Sequence, residues 1–233
     1  MTMLIAAAAV FLAIHLLIAG TRLRDAIVGA IGEGAYLGLF SLASIGAIVW
    51  LVIAFKAAPD VPLYYLGRGV HDMGIVVVLL AFLLGVQGLM MPNPASLKQE
   101  GSAAKPGTIS GVLRITRHPF LWGVALWAAF HLAANGDEAS VVLFGTLLIL
   151  SLLGTVSIDA KRKRKMGAAW SAFAAKTSNI PFGAVIAGRN TLNLSESFGW
   201  RFWLTLLVFA AALFVHTHFF PAHSPLPGGA VPF

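Results

Sequence analysis

Cysteine is absent from the 233 residues. That absence removes disulfide frameworks, thiolate zinc sites, iron–sulfur clusters and cysteine nucleophiles together. Charge is scarce as well, with Asp, Glu, Lys and Arg making up 11% of the chain against 58% hydrophobic residues. So few polar groups cannot coat a soluble surface, and the same apolar excess excludes disorder. Long hydrophobic runs are what the chain has in abundance, and an integral membrane protein is the class that remains.

A hydrocarbon core about 30 Å thick needs roughly 20 apolar residues per helix. Uncharged runs of about that length lie at 3–20, 35–55, 74–91, 120–134, 139–158 and 202–219. The expected fold is therefore all-α, a polytopic membrane bundle of about six transmembrane helices forming a single domain over 1–233. The first run has no lysine or arginine ahead of it and no small-residue cleavage pattern before Arg22, so it reads as an anchored helix, not a removed signal peptide. Proline and glycine punctuate the connections, as in Met91-Pro92-Asn93-Pro94 and Lys105-Pro106-Gly107.

The basic residues set the topology. Arg22 and Arg24 follow the first run, Lys98, Lys105, Arg114 and Arg117 separate the third from the fourth, and eight more from Lys161 to Arg201 separate the fifth from the sixth. Those three loops hold fourteen of the sixteen Lys and Arg residues, whereas Lys56 and Arg68 fall on the opposite side. Positive charge gathers on the cytoplasmic face, so both termini are expected on the other side. The net charge of +7 is explained by this bias, and no nucleic-acid partner is expected. The Lys161–Lys165 run reads as a solvated or headgroup-facing helix end. Trp170 and Phe173, with Trp200 and Phe202, suit an interfacial segment lying on the cytoplasmic face.

Ionisable residues inside apolar runs are functional candidates, because each is costly unless paired or facing a cavity. His15 lies within the first run, His71 at the outer entry to the third, and His118 and His131 near the inner and outer ends of the fourth. Neutral imidazole is a common axial ligand of haem, and helix bundles often hold one. Two ligands of one iron must lie at nearly the same depth. At about 1.5 Å per residue, His15 is roughly 8 Å from the inner end of its helix and His131 roughly 20 Å from that of its own. Depth alone pairs His15 with His118, or His71 with His131. His216, His218 and His223 near the C-terminus form no defined metal site by spacing. The densest cluster is Arg114-Ile115-Thr116-Arg117-His118-Pro119, where two arginines meet a proline-started helix. Such an end suits an anion, whether a haem propionate, a lipid phosphate or a carboxylate, or serves as a snorkelling collar. Asp159 has Arg162 and Arg117 as candidate partners.

The stretch from Gly111 to Asp137, GVLRITRHPFLWGVALWAAFHLAANGD, together with Ser157-Ile158-Asp159-Ala160-Lys161-Arg162, Thr177-Ser178-Asn179-Ile180-Pro181-Phe182 and the first helix from His15 to Arg24, resembles the NnrU family of bacterial membrane proteins. The resemblance implies a bacterial inner-membrane protein associated with denitrification, in the setting of nitrite and nitric oxide reduction, with denitrification redox proteins as partners. That family is similar in turn to the 15-cis-zeta-carotene isomerases, membrane haem b proteins that isomerise a polyene double bond. This second likeness implies haem b as cofactor, with His15 and His131 as iron ligands and His118 as a further histidine, and Arg117 and Arg114 at the basic helix start are the cofactor-binding candidates for its propionates. Ala128 stands where the plant enzyme has a cysteine.

A more distant pattern competes. Arg117-His118-Pro119 with Gly123, then Asp159 and the Met166–Phe182 stretch, is similar to the isoprenylcysteine carboxyl methyltransferases, which use S-adenosylmethionine. The glutamate pair of those enzymes is missing here. The leading expectation is a b-type haem protein with a redox, sensory or isomerase-like role. An isomerase of the carotene type and a membrane methyltransferase are the alternatives.

Overall fold

The computed structural model describes residues 1–219, and among these the ordered elements are helical. An alanine- and leucine-rich start forms α1 (Thr2–Leu12), which runs on through a π-helical segment, Ala13–Ile18. The chain then bends by 77° into α2 (Leu23–Ile31). Gly20 permits the turn, because a Cβ there would collide with the Leu16 carbonyl. Gly32, at φ +82°, starts α3 (Glu33–Lys56). A short α4 (Arg68–Asp72) leads into α5 (Gly74–Met90), which ends at the Pro92 and Pro94 loop. Pro119 opens α6 (Pro119–Asn135), since its missing N–H is not needed in a first turn. Gly136, in the left-handed region at φ +67°, closes α6, and the Asp137 carboxylate caps α7 (Glu138–Met166) by accepting from the Ser140 amide at 2.8 Å. Next come α8 (Ala168–Lys176), α9 (Gly183–Ile186) and α10 (Trp200–Phe219).

Each of the six apolar runs coincides with a helix. By length and composition, α3 and α7 are able to cross a membrane, and the bent α1–α2 pair makes a third if it counts as one span. The apolar parts of α5 and α10 are 17 residues long, shorter than a full crossing helix. Only 17% of the apolar window of α3 is buried, and Leu42, Val76, Trp203 and Leu207 are among the large side chains left outside. An apolar surface of that extent is what lipid, not water, would cover.

Small residues bring the helices together, as in membrane interiors generally. Leu4, Ala7, Ala8 and Phe11 of α1 share one core with Ala47, Leu51 and Ala54 of α3, Ala128 of α6, and Ala139, Leu143 and Phe144 of α7. A close approach joins α5 and α6, where a Cβ on Gly123 would lie 2.6 Å from the Ala81 carbonyl and one on Gly88 2.6 Å from Pro119. Against α5 lies α10, with the Phe82 and Phe209 rings 5.5 Å apart. At the end named outer after the orientation expected from the basic residues, with the opposite end inner, the 61–64 loop is stitched onto the α6–α7 turn. Leu63 and Tyr64 donate to the Gly136 carbonyl at 2.8 and 3.1 Å, and Glu138 donates to that of Val61 at 3.0 Å.

Two expectations about the inner face are corrected. Trp170 and Phe173 do not lie outward on a lipid surface. They are buried, 3% and 4% exposed, because the 92–110 loop folds under α8 and seats them on Ala95 and Ile109. The basic run is not uniformly solvated either. It continues α7, so helical periodicity turns Lys161, Arg162 and Lys165 toward the protein. Lys161 donates to the Ala19 carbonyl at 2.9 Å, Arg162 to that of Ser96 at 2.7 Å and to Glu100, and Lys165 to Glu100 at 2.7 Å. Lys163 and Arg164 remain exposed, as does most of Lys165 beyond its contact with Glu100.

Candidate functional site

The sequence candidates sort into two regions at opposite ends of the bundle. At the inner end, Arg117, His118, Asp159 and Asn179 form a closed knot. Arg117 Nε donates to both Asp159 oxygens, at 2.9 and 3.1 Å, and its terminal nitrogen makes a further ion pair with Oδ2. His118 Nε2 donates to Asp159 Oδ1 at 2.6 Å, and the Asn179 amide to Oδ2 at 3.2 Å. Burial pushes the His118 pKa down against the opposing pull of Asp159. Thr116 Oγ1 and the Trp122 indole both donate to the Asn179 carbonyl, at 2.6 and 2.8 Å. Arg114 closes a second clamp with a fork onto Glu196 at 2.7 and 2.8 Å and donates to Asn190 at 2.9 Å. Its hydrogen bonds hold the Glu196 carboxyl below the usual carboxylate range. The anions at the mouth of α6 are thus the chain's own Asp159 and Glu196. The sequence reading missed Asn179 and Glu196 as partners, although Asn179 sits in the Thr177–Phe182 motif it had singled out.

The outer region is different in kind. A cavity of about 750 Å³ opens between α3, α5, α6, α7 and α10. Trp127, Phe130, Phe144, Phe55, Phe82 and Phe209 form much of its wall, and His71, His131 and His216 line it with them. His131 is set in an aromatic cage, its ring 4.5 Å from Trp127, 5.4 Å from Phe130 and 4.9 Å from Phe144. Its Nδ1 lies 2.8 Å from the Trp127 carbonyl one turn back. The carbonyl can only accept, so Nδ1–H donates there. The sequence had considered His216 only as part of a C-terminal metal site. His223 lies outside the described residues, and among those described no group of three or more His, Asp or Glu side chains is placed to hold a metal ion.

His15 is elsewhere. It sits in the π-helical segment with Nδ1 2.8 Å from the Phe11 carbonyl, and its ring meets Phe11 at 4.5 Å and Phe40 at 5.3 Å. It does not line the cavity that His131 lines. Phe11, one turn before His15, belongs to the core that holds Ala128, and Ile14, Trp127 and Leu132 pack against it. Two ligands of one iron need a common cleft. The histidine chemistry suits a haem, since each Nδ1 is tied to a carbonyl, and of the two only His131 lines the large cavity. The histidines that share a cavity with His131 are His71 and His216.

Fold and site together define an all-helical, membrane-type protein with a closed polar knot at one end and a large aromatic cavity at the other. The NnrU protein family model matches residues 3–224, so the chain belongs to the NnrU family. It is similar to the chloroplastic 15-cis-zeta-carotene isomerase of Zea mays, 25% identical over 177 residues that cover 73% of this chain and 47% of that protein. It is also similar to the chloroplastic 15-cis-zeta-carotene isomerase of Arabidopsis thaliana, 28% identical over 127 residues covering 53% and 33%. The chain spans less than half the length of these relatives. No solved structure matches.

Proposed function

We propose that this chain is a multi-pass inner-membrane protein that takes an elongated apolar molecule into the outer cavity and isomerises a polyene double bond, the activity named in its plant relatives. In this reading all six apolar helices cross the bacterial membrane and both termini face away from the cytoplasm. The partition of basic residues supports that orientation. The observation that carries the reading is the cavity itself: about 750 Å³, walled mainly by aromatic and aliphatic side chains, with three imidazoles and with Lys56, Asp60 and Asp137 also in its lining.

Cis–trans isomerisation consumes no second substrate and transfers no atom. It needs a temporary fall in double-bond order, after which the chain rotates and the bond reforms. The rings of Trp127, Phe130 and Phe144 offer flat apolar surfaces against which a conjugated chain can lie while one of its bonds rotates.

A second reading is a haem protein associated with denitrification and served by redox partners. The observation favouring it is that both His15 and His131 have Nδ1 against a carbonyl one turn back, the support that ligating imidazoles commonly have. In this cavity His131, with His71 or His216, would hold the iron, which would supply electron exchange.

The test is conversion of 15-cis-zeta-carotene in the dark by the purified full chain, read by chromatography with and without added haem. Conversion is expected, and Ala212→Trp, which fills the cavity from α10, lowers it more than tenfold while the exposed Lys163→Gln leaves it unchanged. Absence of both binding and conversion overturns the isomerase reading. A Soret band lost in His131→Ala but kept in His15→Ala supports haem in this cavity, whereas loss in both restores the His15–His131 pairing.

A further inference from the structure

A second cavity, of about 500 Å³, lies on the inner face where α5 ends, the 98–105 loop folds back and α10 begins. Lys98, Lys105 and Arg201 line it, and no carboxylate does. The acids of this face are engaged elsewhere: Glu100 with Arg162 and Lys165, Glu196 with Arg114, and Asp159 with Arg117. Arg201 differs from its neighbours. Arg114, Arg117, Arg162 and Arg189 all spend their guanidinium groups on carboxylates or carbonyls. Arg201 Nε is buried with no hydrogen-bond partner, and the guanidinium rests over the Trp200 ring at 5.0 Å. A buried donor of this kind is costly unless something accepts from it. Lys98 holds a left-handed backbone at φ +58°, a conformation lysine rarely adopts and one that persists only where its surroundings impose it.

Leu89, Met90 and Met91 form the wall toward the bundle. Three cations at the basic end of the helices, beside an apolar wall that continues along α5, match an anion carrying acyl chains. We infer that this cavity binds the phosphate of an anionic membrane lipid, with Arg201 as the inner donor and Lys98 and Lys105 closing over it from the loop. A free phosphate ion offers the same oxygen acceptors but has nothing to set against the methionine and leucine wall. This inference does not depend on what the outer cavity binds.

The experiment uses the purified full chain in a neutral detergent and follows its thermal unfolding as short-chain phosphatidylglycerol, short-chain phosphatidylcholine or inorganic phosphate is added. Phosphatidylglycerol is expected to raise the midpoint at concentrations at least tenfold below those at which the other two act. Arg201→Gln weakens that response tenfold or more, and Lys98→Gln with Lys105→Gln weakens it further. The outward pair Lys163→Gln and Arg164→Gln removes the same charge as that lysine pair and leaves the response intact. Arg201→Lys, which keeps the charge and packing, guards against misfolding and retains a partial response. An equal response in wild type and Arg201→Gln overturns the site, as does an equal loss in the outward pair. An equal response to inorganic phosphate overturns the lipid assignment.

Discussion

The two ends of the bundle use histidines to opposite ends. At the inner end His118 is 3% exposed, and the carboxylate it meets also takes donors from Arg117 and Asn179. That knot binds the mouth of α6 to the end of α7 and the 177–182 segment, and Asp159 is spent within the chain. At the outer end, His71, His131 and His216 come from α4, α6 and α10 to line a space large enough for a ligand. The densest cluster of charged and polar residues in the sequence is therefore an architectural joint. The space proposed for a ligand is walled largely by residues that look like ordinary membrane core.

The sharpest way to break this comparison is at Asp159. Arg117 and Asp159 are 13% and 20% exposed at their side chains, so Asp159→Asn leaves a largely buried guanidinium without its counter-charge. Stripping one partner from a buried pair costs about 3–5 kcal/mol. The expected outcome is a lower thermal midpoint and poor recovery of folded protein from detergent. Cavity variants such as Ala212→Trp should lose ligand response without that fall. If Asp159→Asn unfolds at the wild-type temperature, the knot is not the joint described here.

Helix positions were legible in the sequence because apolar runs bounded by Pro92, Pro119, Gly32 and Gly136 need only local rules. Partners were not, because they come from distant segments. Arg114 finds Glu196, Arg162 finds Glu100 and Asp159 finds Asn179 only after the inner loops fold over one another. Trp170 misled for the same reason: its spacing with Phe173 signals one apolar face, but not whether lipid or the 92–110 loop covers it. The depth argument from helical rise set His71 level with His131, and those two line one cavity. Nothing in the spacing brought in His216, which depends on how α10 packs on α5.

A smaller effect separates packing from chemistry along the α5–α6 seam that joins the two ends. Gly123→Ala places a methyl 2.6 Å from the Ala81 carbonyl and 2.8 Å from the Gly85 amide, both backbone atoms that cannot step aside. Overpacking of this kind costs about 1–3 kcal/mol. Gly85→Ala, on the facing helix, meets nothing within 4 Å and is expected to be neutral or slightly stabilising. Thermal midpoints of the two variants check the difference, and equal values would mean that the helices are farther apart than this packing requires.

The smallest expected effect concerns the loop beside the inner joint. Burial pushes Glu100 up, but hydrogen bonds from Lys165 and from its own backbone, with the charge of Arg162, hold its pKa down to about 2. An unfolded glutamate titrates near about 4.3. A carboxyl whose folded pKa is depressed adds stability above its unfolded value and loses it as pH falls toward the folded one. The contribution of Glu100 is therefore fully present at neutral pH and fades between about pH 4.5 and pH 2. Lys165 is 59% exposed, so salt screens part of it and the whole effect is about 1 kcal/mol. The gap in thermal midpoint between wild type and Glu100→Gln should close across that window. Because Glu100 fastens the 96–102 segment to α7 near the Arg201 cavity and far from His131, the same acidification loosens the inner loop while ligand response at the outer cavity holds. A gap that persists at pH 2 would assign the stabilisation to packing of the loop and not to its charge.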